Sequence, residues 1–216
     1  MKALEPVVLV GSHVWLEPLE LTHVRPLLEA ASESRATYAL TNVPGDEASM
    51  RAYVELVLAQ RDQGVALPFA TVDAAHARVV GTTRFLNVEY WTWRAERTPP
   101  VPTVDFDAAE IGGTWLAASA QRTAINTEAK LLMLVHAFET WNLRRVNLKT
   151  DARNLRSRLA IERLGAHLDG VLPAHMPAAD GGVRDTAMYS LLAYEWSATK
   201  SALERRLSVR RGTTGV

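Results

Sequence analysis

The stretch Glu110-Ile-Gly-Gly-Thr-Trp-Leu116, continuing through Gln121-Arg-Thr-Ala-Ile-Asn126 into Thr127-Glu-Ala-Lys130, decides the fold. It reads as a strand over 103–116, a loop, and a helix over 126–141. The helix is apolar on nearly every face, through Ala129, Leu131, Leu132, Met133, Leu134, Val135, Ala137 and Phe138. Such a helix is expected to be buried on most faces. The first N–H groups of a helix have no partner inside it and carry a partial positive charge. A loop that wraps just ahead of them can hand several N–H groups to a phosphate, and small residues let the backbone come close. Gln121 to Asn126 has that form: a polar lead, a cation at Arg122, and the small Ala124 before the helix. An ordinary strand-to-helix turn has the same outward form.

Working outward from this unit, residues 7–10 and 14–19 read as a short strand pair broken at Gly11-Ser12. Residues 22–32 read as a helix with Thr22 as N-cap and Pro26 awkward inside it. Residues 46–63 read as a helix capped by Asp46, striped by Met50, Tyr53, Val54, Val57 and Leu58, and ended by Gly64. Strands follow over 67–72 and 78–88 around a polar turn. Residues 89–102 hold Trp91, Trp93 and three prolines and read as an irregular excursion. After the central helix, 145–151 alternates as a strand with Val146, Leu148 and Thr150 on one face. Residues 154–164 form a helix closed by Gly165. Two strands follow over 166–172 and 183–194, turned at Asp180-Gly181-Gly182, then a helix over 195–207. The order implies an α/β (α+β) domain around a central mixed sheet. The expected organisation is a single domain over 1–207 with a flexible basic tail over 208–216.

Composition narrows the function classes. The chain has 216 residues, which suits one domain burying roughly 70% of its unfolded surface. Cysteine is absent, which excludes disulfides, thiolate metal sites and a Cys nucleophile. Basic and acidic residues number 24 each, so nothing favours broad attraction to nucleic acid. No apolar run approaches the ~20 residues of a membrane span, and no signal-peptide core opens the chain, so the expected setting is cytoplasmic, without membrane partner. The six histidines lack metal-ligand spacing, and no metal is expected. Neither a Gly-x-Gly-x-x-Gly nor a Walker-type run occurs.

Residues 121–126 resemble the pyrophosphate loop of the GCN5-related N-acetyltransferase (GNAT) superfamily, whose pattern is Gln/Arg-x-x-Gly-x-Gly/Ala. Within it, Glu110-Ile-Gly-Gly-Thr-Trp-Leu116, Asn126-Thr-Glu-Ala-Lys130 and Asn154-Leu-Arg-Ser157 continuing to Glu162-Arg-Leu-Gly165 resemble the RimJ/RimL-like branch, named for acetyltransferases of ribosomal-protein N-termini. Val80-Gly-Thr-Thr-Arg-Phe-Leu86 and Arg184-Asp-Thr-Ala-Met-Tyr-Ser190 fit the same pattern. The likeness runs from about Val14 to Trp196. Two positions depart from it: Ala124 stands where the family has Gly, and Asn126 where it has Gly or Ala. Alanine suits that loop where φ is negative and costs roughly 1 kcal/mol where φ is positive. Asn126 is expected to serve as an N-cap.

The resemblance implies a mixed, mostly antiparallel sheet of about seven strands flanked by helices, with two central parallel strands splayed apart. It implies acetyl-CoA as cosubstrate, held in the notch between strands 103–117 and 145–151. Trp115, Leu116 and Ala117 would pair with the pantetheine arm, with a backbone N–H near Leu116 for the oxyanion. Gln121, Arg122, Thr123, Ala124, Ile125, Asn126 and Thr127 would hold the pyrophosphate. Many members place a Tyr donor seven residues after the helix Asn, and Ile161 stands there. The branch instead implies Ser157 as proton donor to the thiolate, with Asn154 orienting the cofactor, three residues apart on one helix face. Glu110 is a candidate base, or a strand-end carboxylate satisfied by a nearby Arg. Glu128 reads as a structural first-turn carboxylate and His136 as a satisfied core or interface histidine. Trp91 and Trp93 could line an acceptor pocket or a homodimer contact. The implied activity is acetyl transfer to a primary amine, on a protein N-terminus or a small molecule, by direct attack on the thioester. A catalytically silent acetyl-CoA-binding sensor or scaffold stands as the alternative.

Overall fold

The computed structural model describes residues 4–92 and 106–212. Strands β1 (Leu9–Val10) and β2 (Val14–Pro18) form the first hairpin. Helices α1 (Val24–Ser32) and α2 (Glu47–Asp62) follow. Strands β3 (Ala66–Asp73), β4 (Arg78–Glu89) and β5 (Ala108–Leu116) come next. After helix α3 (Ile125–Val135) the chain runs β6 (Arg145–Asp151), α4 (Leu155–Glu162), β7 (His167–Pro177), β8 (Val183–Leu192) and α5 (Trp196–Gly212). The eight strands make one sheet in the order β1-β2-β3-β4-β5-β6-β8-β7, where the family resemblance implied about seven and the strand-by-strand reading eight. All neighbours pair antiparallel except β5 and β6. A contiguous core extends from Leu4 to Leu203 and centres on Phe69, Phe85, Met133, Leu134 and Tyr189.

Local chemistry explains most boundaries. Asp46 caps α2, accepting from the Ser49 N–H at 2.9 Å, and Gly64 leaves the helix at φ 73°. The helix expected over 22–32 begins instead with a 3-10 turn at Leu21–His23 and becomes α-helical at Val24. That places Pro26 in the first turn, where its missing N–H would have had no partner. The central helix also differs from expectation. Its cap position is Ala124 rather than Asn126, and its end, His136–Thr140, is a π-helical turn from which Trp141 packs on Phe85 of the sheet and Phe138 stacks on Trp196 of α5. Helix α5 continues through Gly212, past the start at Ser208 expected for a frayed tail. Trp93 and the rest of the excursion through residue 105 lie outside the described residues. No helix among the described residues is long and apolar enough to cross a membrane.

The sheet separates two helical layers. The side chain of Arg84 meets Tyr53 of α2, whereas Thr83 meets Lys130 of α3 and Phe85 packs on Trp141 beyond it. Alternation along β4 therefore assigns Thr82, Arg84 and Leu86 to the α2 face, and Thr83 and Phe85 to the α3 face.

Candidate active site

The parallel pair β5 and β6 is joined only at its beginning, where Ala108, Ala109 and Glu110 pair with Arg145, Val146 and Asn147. Beyond Glu110 the two strands separate, although β5 continues to Leu116 and β6 to Asp151. The cause lies on β5. Register with β4 slips between Thr82 and Arg84, opposite a bulge at Gly112-Gly113-Thr114 where Gly113 takes φ 59°. The result is a notch with the unpaired backbone of β5 as one wall. Helix α3 starts just beyond the C-terminal end of β5, and α4 just beyond that of β6, so two helix N-termini converge there.

The loop ahead of α3 has the geometry of an anion cradle. The N–H groups of Thr123, Ala124, Asn126 and Thr127 have no hydrogen bond among the described residues, while the Ile125 N–H reaches Thr123 Oγ1 at 3.2 Å. Ala124 sits at φ −71° in the right-handed region, so alanine meets no steric penalty there. The left-handed residue is Arg122, at φ 64°. Gln121 is engaged elsewhere, its Nε2 donating to the Leu116 carbonyl at 2.8 Å and its Oε1 accepting from Arg156 at 3.2 Å. The Ala117 N–H is likewise engaged, by Val80 at 2.7 Å. Tyr38 donates to the Leu116 carbonyl at 2.9 Å, fixing the end of β5 from the α2 side.

Asn154 caps α4, its Oδ1 accepting from the Ser157 N–H at 3.0 Å. The cap holds Ser157 in the first turn, half-buried, with no partner for its hydroxyl among the described residues. Arg156 ties this turn to Gln121, so the two helix starts are physically coupled. Glu110 is buried on the α2 face. One oxygen accepts from Asn87 at 2.8 Å and Lys149 at 2.9 Å; the other lies over Gly112. The satisfying cation is thus Lys149 rather than an arginine. Glu128 accepts from the His13 and Val14 N–H groups at 2.5 and 2.9 Å, stitching α3 to β2. His136 packs against Phe85 and Trp141, and burial lowers its pKa. Trp91 anchors on Asp107 and Glu89. Among the described residues no group of three His, Asp or Glu side chains is placed to hold a metal.

Sequence reading missed four residues around the bulge. Lys130 is buried and donates to Thr83 and Thr114 at 2.8 and 2.6 Å from the α3 side. Arg84 lies over Gly113 on the α2 side. The available signal was a lone cation inside each of two apolar patterns, on the central helix and on strand 78–88.

The family described as Acetyltransferase (GNAT) domain matches residues 13–167. Among solved structures, a GCN5-related N-acetyltransferase from Brucella melitensis superposes with TM-score 0.78 at 27% identity, covering 93% of this chain and 85% of that one. A protein from T. thermophilus described as an acetyltransferase gives 0.77 at 32%, covering 96% and 100%. Mycobacterium smegmatis RimJ, solved in complex with CoA-disulfide, shares the fold at TM-score 0.72 and 20% identity, covering 93% and 92%. No curated protein matches the chain significantly. Splayed parallel strands, a bulged β5 and the family match over most of the chain lead to one assignment: this protein belongs to the GNAT family of acetyltransferases.

Proposed function

We propose that the protein transfers the acetyl group of acetyl-CoA to a primary amine, on a protein N-terminus or a small molecule. One observation carries this: N–H groups of Thr123, Ala124, Asn126 and Thr127, without a partner among the described residues, stand at the mouth of the β5–β6 notch. They suit a pyrophosphate, with the α3 dipole adding attraction. The exposed backbone of β5 near Trp115 and Leu116 suits the amide-bearing pantetheine arm. RimJ of M. smegmatis is solved with CoA-disulfide, and the microcin C7 self-immunity protein MccE with acetyl-CoA and AMP, which supports the choice of cosubstrate.

In this reading the neutral amine attacks the thioester carbonyl carbon. A C–N bond forms and the C–S bond breaks. The amine's proton passes to Glu110, whose oxygen over Gly112 faces the bulge, directly or through a water. Ser157 hydrogen-bonds the departing thiolate, which leaves as free thiol once solvent relays to it the proton that Glu110 took. A backbone N–H near Leu116 steadies the oxyanion.

The test is thiol release from acetyl-CoA with a panel of amines. Ser157→Ala should lower kcat by about 10²-fold with little change in acetyl-CoA affinity; unchanged turnover would remove Ser157 from the chemistry. Coenzyme A at 100 times its Kd should stabilise the chain by about 2.7 kcal/mol. Such stabilisation without thiol release for any amine would identify a silent acetyl-CoA-binding module instead.

A further inference from the structure

We propose that the acceptor amine carries a carboxylate and that the Arg84 guanidinium binds it. The inference rests on the acetyl-transfer reading and names the substrate class for that site.

Arg84 lies on the α2 face of β4, in register with Gly112 of the bulge. Its neighbour in register, Leu86, opposes Glu110, so Arg84 and Glu110 share one face of the notch wall. The guanidinium crosses Gly113 so closely that a Cβ there would lie 2.9 Å from Nε. Its Nε and Nη1 are both shielded from solvent, and neither has a hydrogen-bond partner among the described residues. Tyr53 of α2 provides the only stacking surface among them, with Cζ 6.0 Å from the ring centroid. Glu110, the carboxylate sharing its face, is already engaged by Lys149 at 2.9 Å. On the same face, Trp115 Nε1 is also shielded and makes no full hydrogen bond among the described residues, the Tyr53 hydroxyl being the polar group it approaches.

Buried donors in native proteins are nearly always satisfied, and an unpaired buried charge is costly. A planar guanidinium fork matches a carboxylate in two-point geometry. Arg84 therefore has the chemistry of an anion receptor beside the reacting centre, with Trp115 as a second donor. A carboxylate held there fixes the orientation of the amine it accompanies relative to Glu110 and the thioester. A purely cationic amine, such as a polyamine, meets repulsion instead.

Calorimetric titration of the full chain saturated with coenzyme A tests this. The probes are α-amino acids with their carboxamides, and C-terminally amidated peptides opening with acidic or neutral residues. A carboxylate probe should bind about 30-fold more tightly than its neutral twin. Arg84→Gln should erase that preference and Arg84→Lys retain part of it, with thermal unfolding of each variant confirming that it folds. Preference among free amino acids marks an α-carboxylate, and preference among peptides marks an acidic side chain. Equal binding of acid and neutral twin, no binding of any carboxylate probe, or a preference that survives Arg84→Gln would overturn the proposal. Thiol release, measured separately, decides the underlying reading. Release that ignores the carboxylate sinks only the Arg84 assignment, whereas Arg84-dependent binding without release sinks only the acetyl transfer.

Discussion

Lys130 and Arg84 are cations on opposite sides of one bulge, and they face opposite situations. Lys130 comes from α3 and meets two hydroxyls, Thr83 and Thr114, which also bond each other at 2.8 Å. Arg84 comes from β4 and meets a glycine, a ring and no acceptor among the described residues. The chemistry of the two groups widens the contrast. A buried ammonium can shed its proton, and burial brings Lys130 down to about 7. A guanidinium has no such exit, because it keeps its proton in proteins. The lysine's problem is solved inside the fold. The arginine's is solved by something that enters the notch.

The largest expected effect tests the lysine side. A lysine in an unfolded chain titrates near about 10.4, and Lys130 in the folded chain at about 7. Between these values the unfolded chain binds more protons, so wild-type stability should rise with pH at up to about 1.4 kcal/mol per unit. Below pH 7 the cost of the buried charge is fully present. Lys130→Met should therefore be more stable than wild type by ~2 kcal/mol at pH 7, with Thr83 and Thr114 still paired to each other. The gap should close near pH ~8.5 and reverse by pH ~10. Urea unfolding at pH 7, 8.5 and 10 reads this directly. A variant less stable than wild type by a constant amount at all three would show that Lys130 acts through packing, and the contrast with Arg84 would vanish.

The contrast also marks what could be read from residues alone. The strand–loop–helix unit, the Asp46 cap and the alternation of β6 were legible because each depends on neighbours in sequence. The loop at Gln121–Asn126 was legible as the lead into a helix but not in its division of labour. Gln121 turned out to brace Leu116, which depends on a carbonyl brought near by the turn at Ala118–Ala120. Asn126 lost the cap position because the helix caps two residues earlier, at Ala124, where Thr123 Oγ1 accepts the Ile125 N–H. Lys130 and Arg84 were invisible as a pair. Their meeting at one bulge follows from the register of β4 on β5, a long-range pairing that periodicity does not encode.

A middle-sized effect comes from the glycine between the two cations. Gly113→Ala places a methyl at φ 59°, and its Cβ would lie 3.2 Å from Arg84 Cζ. The backbone cost is about 1 kcal/mol, and the flexible end of Arg84 must swing aside. Lys130, on the other face, should feel nothing. The variant should lose that stability at every pH. Its acceptor KM should rise about tenfold while acetyl-CoA KM stays within about twofold, since only one partner of the reaction is misplaced. A parallel rise in both KM values would mean that the bulge moves as a unit and that the two faces are not independent.

The smallest effect separates the two cations most cleanly. Arg84→Met removes a charge that has no hydrogen-bond partner among the described residues, so stability should rise by ~1 kcal/mol or less, the lost stacking on Tyr53 offsetting part of the gain. Unlike the gain in Lys130→Met, this one should be flat from pH 7 to 10, as arginine side chains in proteins do not lose their charge. A residue whose removal stabilises the fold while weakening function is the pattern expected of a site kept for a ligand. If Arg84→Met instead destabilises the chain, the guanidinium is already satisfied by its packing, and the unpartnered donors lose their meaning as a binding site.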